Sequence, residues 1–151
     1  MSEAALNLEA ATQQFSTFYV SGRLYGINVS SVQEVTKTMP VTDVPLSPNY
    51  VHGLINLRGQ IATAIGLREL FELGDKPPTE YMNVVCRQDG HLITLLVDQI
   101  GDVIELDRSS YEPTPDTVSP HVAQFLNGVY KTQGDLLSII EVKKILDVLN
   151  D

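Results

Sequence analysis

The side chains able to do chemistry in this chain are few and scattered. Its three histidines, His52, His91 and His121, lack the i, i+4 spacing with which one helix face holds a metal ion. The single cysteine, Cys86, sits in an alternating apolar stretch with only Arg87 as a basic neighbour. That setting suits a small buried hydrophobe better than an activated thiolate. The acids Asp98, Asp102, Glu105 and Asp107 suggest calcium, but the ligand order and glycine of an EF-hand are absent, and solvated strand ends explain them better. No phosphate-binding glycine loop, dinucleotide fingerprint or nucleophile elbow occurs. The sequence therefore calls for no metal, no cofactor and no catalytic residue, and an enzyme is not expected. What remains is contact chemistry. Arg58 precedes Gly59 in a tight turn, where a solvated arginine is unremarkable, but its planar fork suits a protein interface. Glu34 ends a Ser31-x-x-Glu34 capping box, where it can serve the backbone and still present a carboxylate to a basic partner.

The segment around Arg58 is written twice. Shifted by 75 positions, residues 50–71 place Gly53 on Gly128, Gly59 on Gly134, Ile65 on Ile140, Leu67 on Val142 and Leu70 on Ile145. Both copies read as strand, tight turn at glycine, strand and helix start. A second echo, at an offset of 68, aligns residues 21–35 with residues 89–103. Pro40, Pro45 and Pro48 precede the first copy of the hairpin, and Pro113, Pro115 and Pro120 precede the second. The molecule is therefore expected to be two copies of one small β unit.

Within that frame, residues 15–20 and 24–29 read as strands joined at Ser21-Gly22, and residues 81–87 and 92–97 as a hairpin across Asp89-Gly90. The capping box predicts a short helical turn over residues 31–35. On the strand after Gly59, Ile61, Thr63 and Ile65 share one face. Ala62 and Ala64 share the other, small enough to let a strand or loop approach. Residues 141–149 put Val142, Ile145, Leu146 and Leu149 on one side of a closing helix. Gly53, Gly59, Gly90 and Gly134 read as backbone requirements, and Val32 as a core residue or a half-buried lip. The predicted fold is all-β: two pseudo-symmetric five-stranded barrels with short helices and a C-terminal helix. Residues 1–12 are expected to be a flexible tail and 13–151 the folded domain, divided at about 13–76 and 77–151, where Pro77 and Pro78 fall.

Composition narrows the function. The core must be mostly aliphatic, since the chain has no Trp. No apolar run approaches the roughly 20 residues of a membrane span, and no secretory signal is present, so a cytosolic protein is expected. A net charge of -9 with scattered Lys and Arg argues against nucleic acid. A small β-barrel enzyme or ligand-binding protein would need convergent polar residues that the pattern lacks. A piece of a larger signalling protein would show further modules, so a stand-alone chain is the preferred reading.

Tyr25-Gly26-Ile27 with Val32-Gln33-Glu34-Val35, then the run from Gly53 through Asn56-Leu57-Arg58-Gly59, followed by Leu67-Arg68, resembles the CheW family of bacterial chemotaxis coupling proteins. The N-x-R-G turn is weak alone and fairly specific in this setting, and the match runs from about Gln14 to Leu149. The resemblance implies two intertwined SH3-like barrels forming a non-enzymatic adaptor. Such an adaptor couples the cytoplasmic tips of methyl-accepting chemotaxis receptors to the regulatory domain of the histidine kinase CheA, itself a homologue. It implies partner contacts at Val32, Glu34, Gly53, Arg58 and Gly59, and a cytoplasmic protein recruited to membrane-associated receptor arrays without membrane insertion. Two positions depart from the family: Thr63 and Gly66 stand where a Pro and an Asp are frequent. Losing the Asp removes a helix cap of about 1 kcal/mol, although glycine is a tolerated cap. The departures leave open a divergent paralogue or competitor of the main coupling protein, serving another receptor–kinase array.

Overall fold

The computed structural model of the chain describes residues 11–74, 76–132 and 134–150. The tail expected over residues 1–12 lies outside them, apart from its last two positions. The first half of the chain forms β1 (Thr12–Val20), β2 (Arg23–Asn28), β3 (Val32–Thr36), β4 (Val51–Leu57) and β5 (Gln60–Gly66), then a one-turn helix, α1 (Leu67–Leu70). The second half forms β6 (Met82–Gln88), β7 (His91–Val97), β8 (Gln99–Asp107) and a two-residue β9 (Tyr111–Glu112). A short α2 (Pro120–Ala123), β10 (Leu126–Thr132), β11 (Asp135–Ile140) and α3 (Val142–Leu149) complete it. The turns at Ser21-Gly22, Arg58-Gly59 and Asp89-Gly90 hold both central residues at positive φ, between 51° and 86°. This mirror-image turn matches the twist of the flanking strands, which is why each hairpin is so short.

The strands build two sheets, one in the order β8-β1-β2-β11-β10-β9 and the other β3-β6-β7-β5-β4. The two sequence echoes pair β2 with β7, β3 with β8, β4 with β10 and β5 with β11, and β1 and β6, each the strand before one copy of the second echo, correspond in turn. Substituting each strand by its counterpart turns the second order into the first, with β9 added. The register agrees too. Thr63 lies opposite Ile93 in the parallel β5–β7 pair, and Ser138, 75 positions later, lies opposite Tyr25 in the parallel β11–β2 pair. Even β9 has a counterpart, since Thr42 makes an isolated bridge to Leu54 as Glu112 does to Val129. Each sheet therefore takes strands from both sides of the 76/77 boundary.

Two expectations change. The sheets are not closed barrels: β3 and β4 are free ends of one sheet, and β8 and β9 of the other. The SH3-like strand order is present, but the ladder stops short of a ring. The capping box also fails to make a helix. Asn28 caps a single 3-10 turn over Val29–Ser31 by accepting the Ser30 N–H at 3.0 Å. Residues 32–36 then enter β3, with Glu34 opposite Val85. The unpaired edge of β6 supplies ladder bonds, and Val32, Val35 and Thr36 are β-branched, so the strand wins.

One apolar core joins the sheets. Phe18, Val20, Tyr25 and Ile27 of one sheet meet Ile65, Val84, Cys86, Ile93 and Leu95 of the other, capped by Val142, Ile145 and Leu146 of α3. Ala62 and Ala64 face inward, and Met39 from the loop after β3 packs against the clusters they belong to. The small face thus admits a loop, as its residue sizes suggest. Gly53 is held by a similar approach: at φ 147°, a Cβ there would lie 2.2 Å from the Thr42 carbonyl oxygen. A Cβ on Gly59 would meet nothing within 4 Å. Gly53→Ala is therefore expected to lower unfolding free energy by about 2 kcal/mol or more, and Gly59→Ala by only about 1 kcal/mol. Urea titration of both variants checks this, and equal midpoints would contradict the packing account.

Candidate partner-binding surface

The β4–β5 turn brings Arg58 to the free side of its sheet. Asn56 accepts the Gly59 N–H on its side-chain oxygen at 2.9 Å, which locks the turn and leaves the Arg58 side chain outside. There Arg58 forms an ion pair with Glu34 of β3, so side chains link two ends of the sheet that the ladder leaves apart. The Arg58 side chain is 69% exposed and that of Glu34 23%, and Glu34 Oε1 has no hydrogen-bond partner among the described residues.

Of the five candidates, Glu34, Arg58 and Gly59 thus come together. Gly53 lies beneath Thr42 and serves the backbone, and Val32 is half-buried against the main core. Three neighbours escaped sequence reading. Arg87 of β6 donates from Nε to Gln33 at 3.0 Å and from Nη2 to Gln60 at 2.8 Å. Gln33 and Gln60 adjoin Glu34 and Gly59 in sequence. That adjacency was the available signal, but nothing local pointed to Arg87.

Most large exposed hydrophobics fall into pairs that follow the duplication: Val35 with Val103, Val41 with Tyr111, and Ile61 with Leu136. Both halves therefore expose apolar side chains at matching positions. Val44 and Leu46, in the loop before β4, have no exposed counterpart.

The remaining polar chemistry is structural. Arg68 of α1 is buried, donating to Ser21 Oγ at 2.8 Å and pairing with Asp98, which also accepts the Ser21 N–H at 2.8 Å. This node pins the β1–β2 turn and the β7–β8 turn to α1. Burial pushes the Cys86 thiol up to about 12, leaving no thiolate near neutral pH. His52 meets Glu69, His121 meets the Leu70 carbonyl, and His91 is exposed at a turn. No group of three metal-ligating side chains forms among the described residues. A groove of about 720 Å³ lies between β2, β11 and the segment after α1, and none of the five candidates lines it.

A two-sheet body whose outer features are exposed apolar side chains at matching positions and several surface ion pairs, Arg58–Glu34 among them, is a scaffold of the protein-binding, adaptor class. The chain belongs to the CheW-like family, whose domain matches residues 14–150. It is 27% identical to the chemotaxis protein CheW of Rhizobium meliloti, over 96% of this chain and 94% of that one. It is 30% identical to the probable chemotaxis protein CheW of Rhizobium etli, with the same coverage. The crystal structure of the scaffolding protein TtCheW from Thermoanaerobacter tengcongensis superposes with a TM-score of 0.78 at 30% identity, covering 86% of this chain and 84% of that one. Family membership, rather than any missing group, places the chain among non-enzymatic scaffolds.

Two measurements check this division between node and surface. Arg68→Ala leaves the Asp98 carboxylate uncompensated in a largely buried site and is expected to cost about 3 kcal/mol or more in thermal or urea unfolding. Arg58→Ala is expected to cost about 1 kcal/mol or less, since the arginine itself is exposed; a reversed order would contradict the assignment. A thiol-reactive dye should label Cys86 only as the protein unfolds, and fast labelling of native protein would show the strand to be open.

Proposed function

We propose that this chain is a chemotaxis coupling adaptor that joins the cytoplasmic tips of methyl-accepting receptors to the regulatory domain of the kinase CheA. The observation that carries the reading is the Arg58–Glu34 pair, which joins the two ends of its sheet in a half of the chain that also exposes Val35 and Ile61. A charged pair gives orientation through hydrogen bonds, and exposed apolar side chains give affinity through burial. The names of the relatives, chemotaxis proteins and a scaffolding protein, support the same role. In this reading Glu34, Arg58 and Gly59 form the contact surface, Gly53 fixes the hairpin that presents them, and Val32 backs it from the core. The protein works in the cytoplasm and is recruited to receptor arrays by its partners. No helix among the described residues is long and apolar enough to cross a membrane.

The mechanism is geometric. One rigid core holds two related apolar surfaces at a fixed angle, so one chain can engage two partners at once. Contacts of this kind bury on the order of 1,000 Å², and simultaneous engagement in an array adds to each. The test is binding of purified CheA regulatory domain and of a receptor cytoplasmic fragment to wild type, Arg58→Ala and Glu34→Ala. Circular dichroism confirms that each variant is folded. Binding of at least one partner is expected to weaken about tenfold in the folded variants. Wild-type binding of both partners by both variants would remove the hairpin from the interface.

A further inference from the structure

The first-half hairpin is rooted by a contact that has a twin in the second half, and the two differ in one chemical respect. In β4 the register slips between Val51 and Gly53, so His52 is the extra residue of a β-bulge. A bulge re-aims its side chain, and here it carries His52 Nε2 to 3.0 Å from Glu69 Oε1 on α1. In β10 the register slips between Leu126 and Val129, and Asn127 donates from Nδ2 to Glu141 Oε2 at 3.4 Å, where α3 begins. His52 and Asn127 are the same position of the repeat, as are Gly66 and Glu141. Both halves therefore clasp the bulge to a carboxylate at the start of the following helix. The first half uses Glu69 because residue 66 is glycine. A Cβ at Gly66 would lie 2.1 Å from Glu69 Oε2 and 2.4 Å from His52 Nε2, so any larger residue would force the clasp apart.

We infer that the His52–Glu69 clasp is a proton-dependent latch on the β4–β5 hairpin, whereas its Asn127–Glu141 twin is indifferent to pH. Histidine is the side chain whose charge ordinarily changes between about pH 5 and pH 8, and asparagine does not titrate. At 3.0 Å from a carboxylate, His52 Nε2 must carry a proton, as the neutral Nε2–H tautomer or as imidazolium. The neutral tautomer already donates to an ionised acceptor, and the cation adds the attraction of opposite charges to that bond.

The groups facing the pair are few. Glu69 and Arg68 come from α1, and Tyr81, ahead of β6, stands edge-on to His52 with ring centres 5.5 Å apart. Asp98, from the β7–β8 turn, pairs with Arg68 and acts on Tyr81. Burial pushes the Glu69 carboxyl up. The His52 hydrogen bond, its own backbone bond and the charges of His52 and Arg68 outweigh this and hold it below the usual carboxylate range. Such a group adds stability that is lost only as pH falls through its lowered value. Glu69 therefore stays ionised from about pH 8 to about pH 6, the range in which a histidine ordinarily changes its charge.

The effect of the latch on partner binding rests on the function proposed above, so the test reads the hairpin itself. Amide hydrogen exchange, corrected for its intrinsic pH dependence, is followed at about pH 8 and about pH 6 in wild type, His52→Asn and His91→Gln. Residues 51–66 of wild type and of the exposed-site control are expected to gain roughly two- to fivefold protection on acidification, while residues 126–140 do not. His52→Asn, which installs the chemistry of the second half, is expected to abolish the gain and remain folded. The same gain in His52→Asn, or an equal gain in both hairpins, would overturn the inference. So would a wild-type imidazole spectrum with the proton on Nδ1 alone at the higher pH.

Discussion

Neither half of this chain can finish its own sheet. β2 is paired with β1 on one side, and its other row of backbone donors and acceptors faces the protein interior. A buried row of that kind must find a ladder, and the partner is β11, more than a hundred residues away. β7 has the same need and meets it with β5. Two parallel pairings thus lock the halves through each other. The shared core from Phe18 to Leu146 follows from this, since both sheets turn a face toward the seam. Pulling the chain apart at residue 76 would open both parallel ladders and that core together, so the molecule is one cooperative unit despite its duplication.

That lock lets the surface be thin. The strongest polar interaction sits inside, where Arg68 ties Ser21 and Asp98 to α1 with little exposed area. The pair at the sheet end, Arg58 with Glu34, is open to water on its arginine side and contributes little to the fold. The buried node and the exposed pair therefore rest on different arginines, ten residues apart in sequence. A scaffold benefits from the arrangement, because its outer residues can be shaped by partners without loosening the body that spaces them. The matched exposed pairs, such as Ile61 with Leu136, show that duplication copied the surface along with the core.

Much of this was readable from residue order. The echoes at 75 and 68 positions predicted which strands correspond, and the X-Gly turns predicted the hairpins, because positive φ is a local demand that few residues meet. Cys86 and the C-terminal helix follow from apolar periodicity alone. The capping box misled because Ser31-x-x-Glu34 describes a helix start in isolation, while an open edge of β6 offered the same backbone a ladder. Arg87 was unreadable for a related reason. It lies on β6, and only the order β3-β6-β7-β5 places it within reach of both Gln33 and Gln60.

His52 shows the boundary most clearly. Its spacing from the other histidines spoke against a metal, and nothing nearby marked it as part of a clasp. The bulge that turns it toward Glu69 exists only in the paired strands. The sequence by itself determined the all-β class, the duplication, the turns, the closing helix and the family, since each is written in side-chain pattern over short spans. The tertiary structure alone decided which strands interlock across the halves, that the sheets stay open, and which charges meet. Those choices are made by backbone hydrogen-bonding groups that are the same at nearly every residue, and by side chains that become neighbours only after the ladders form.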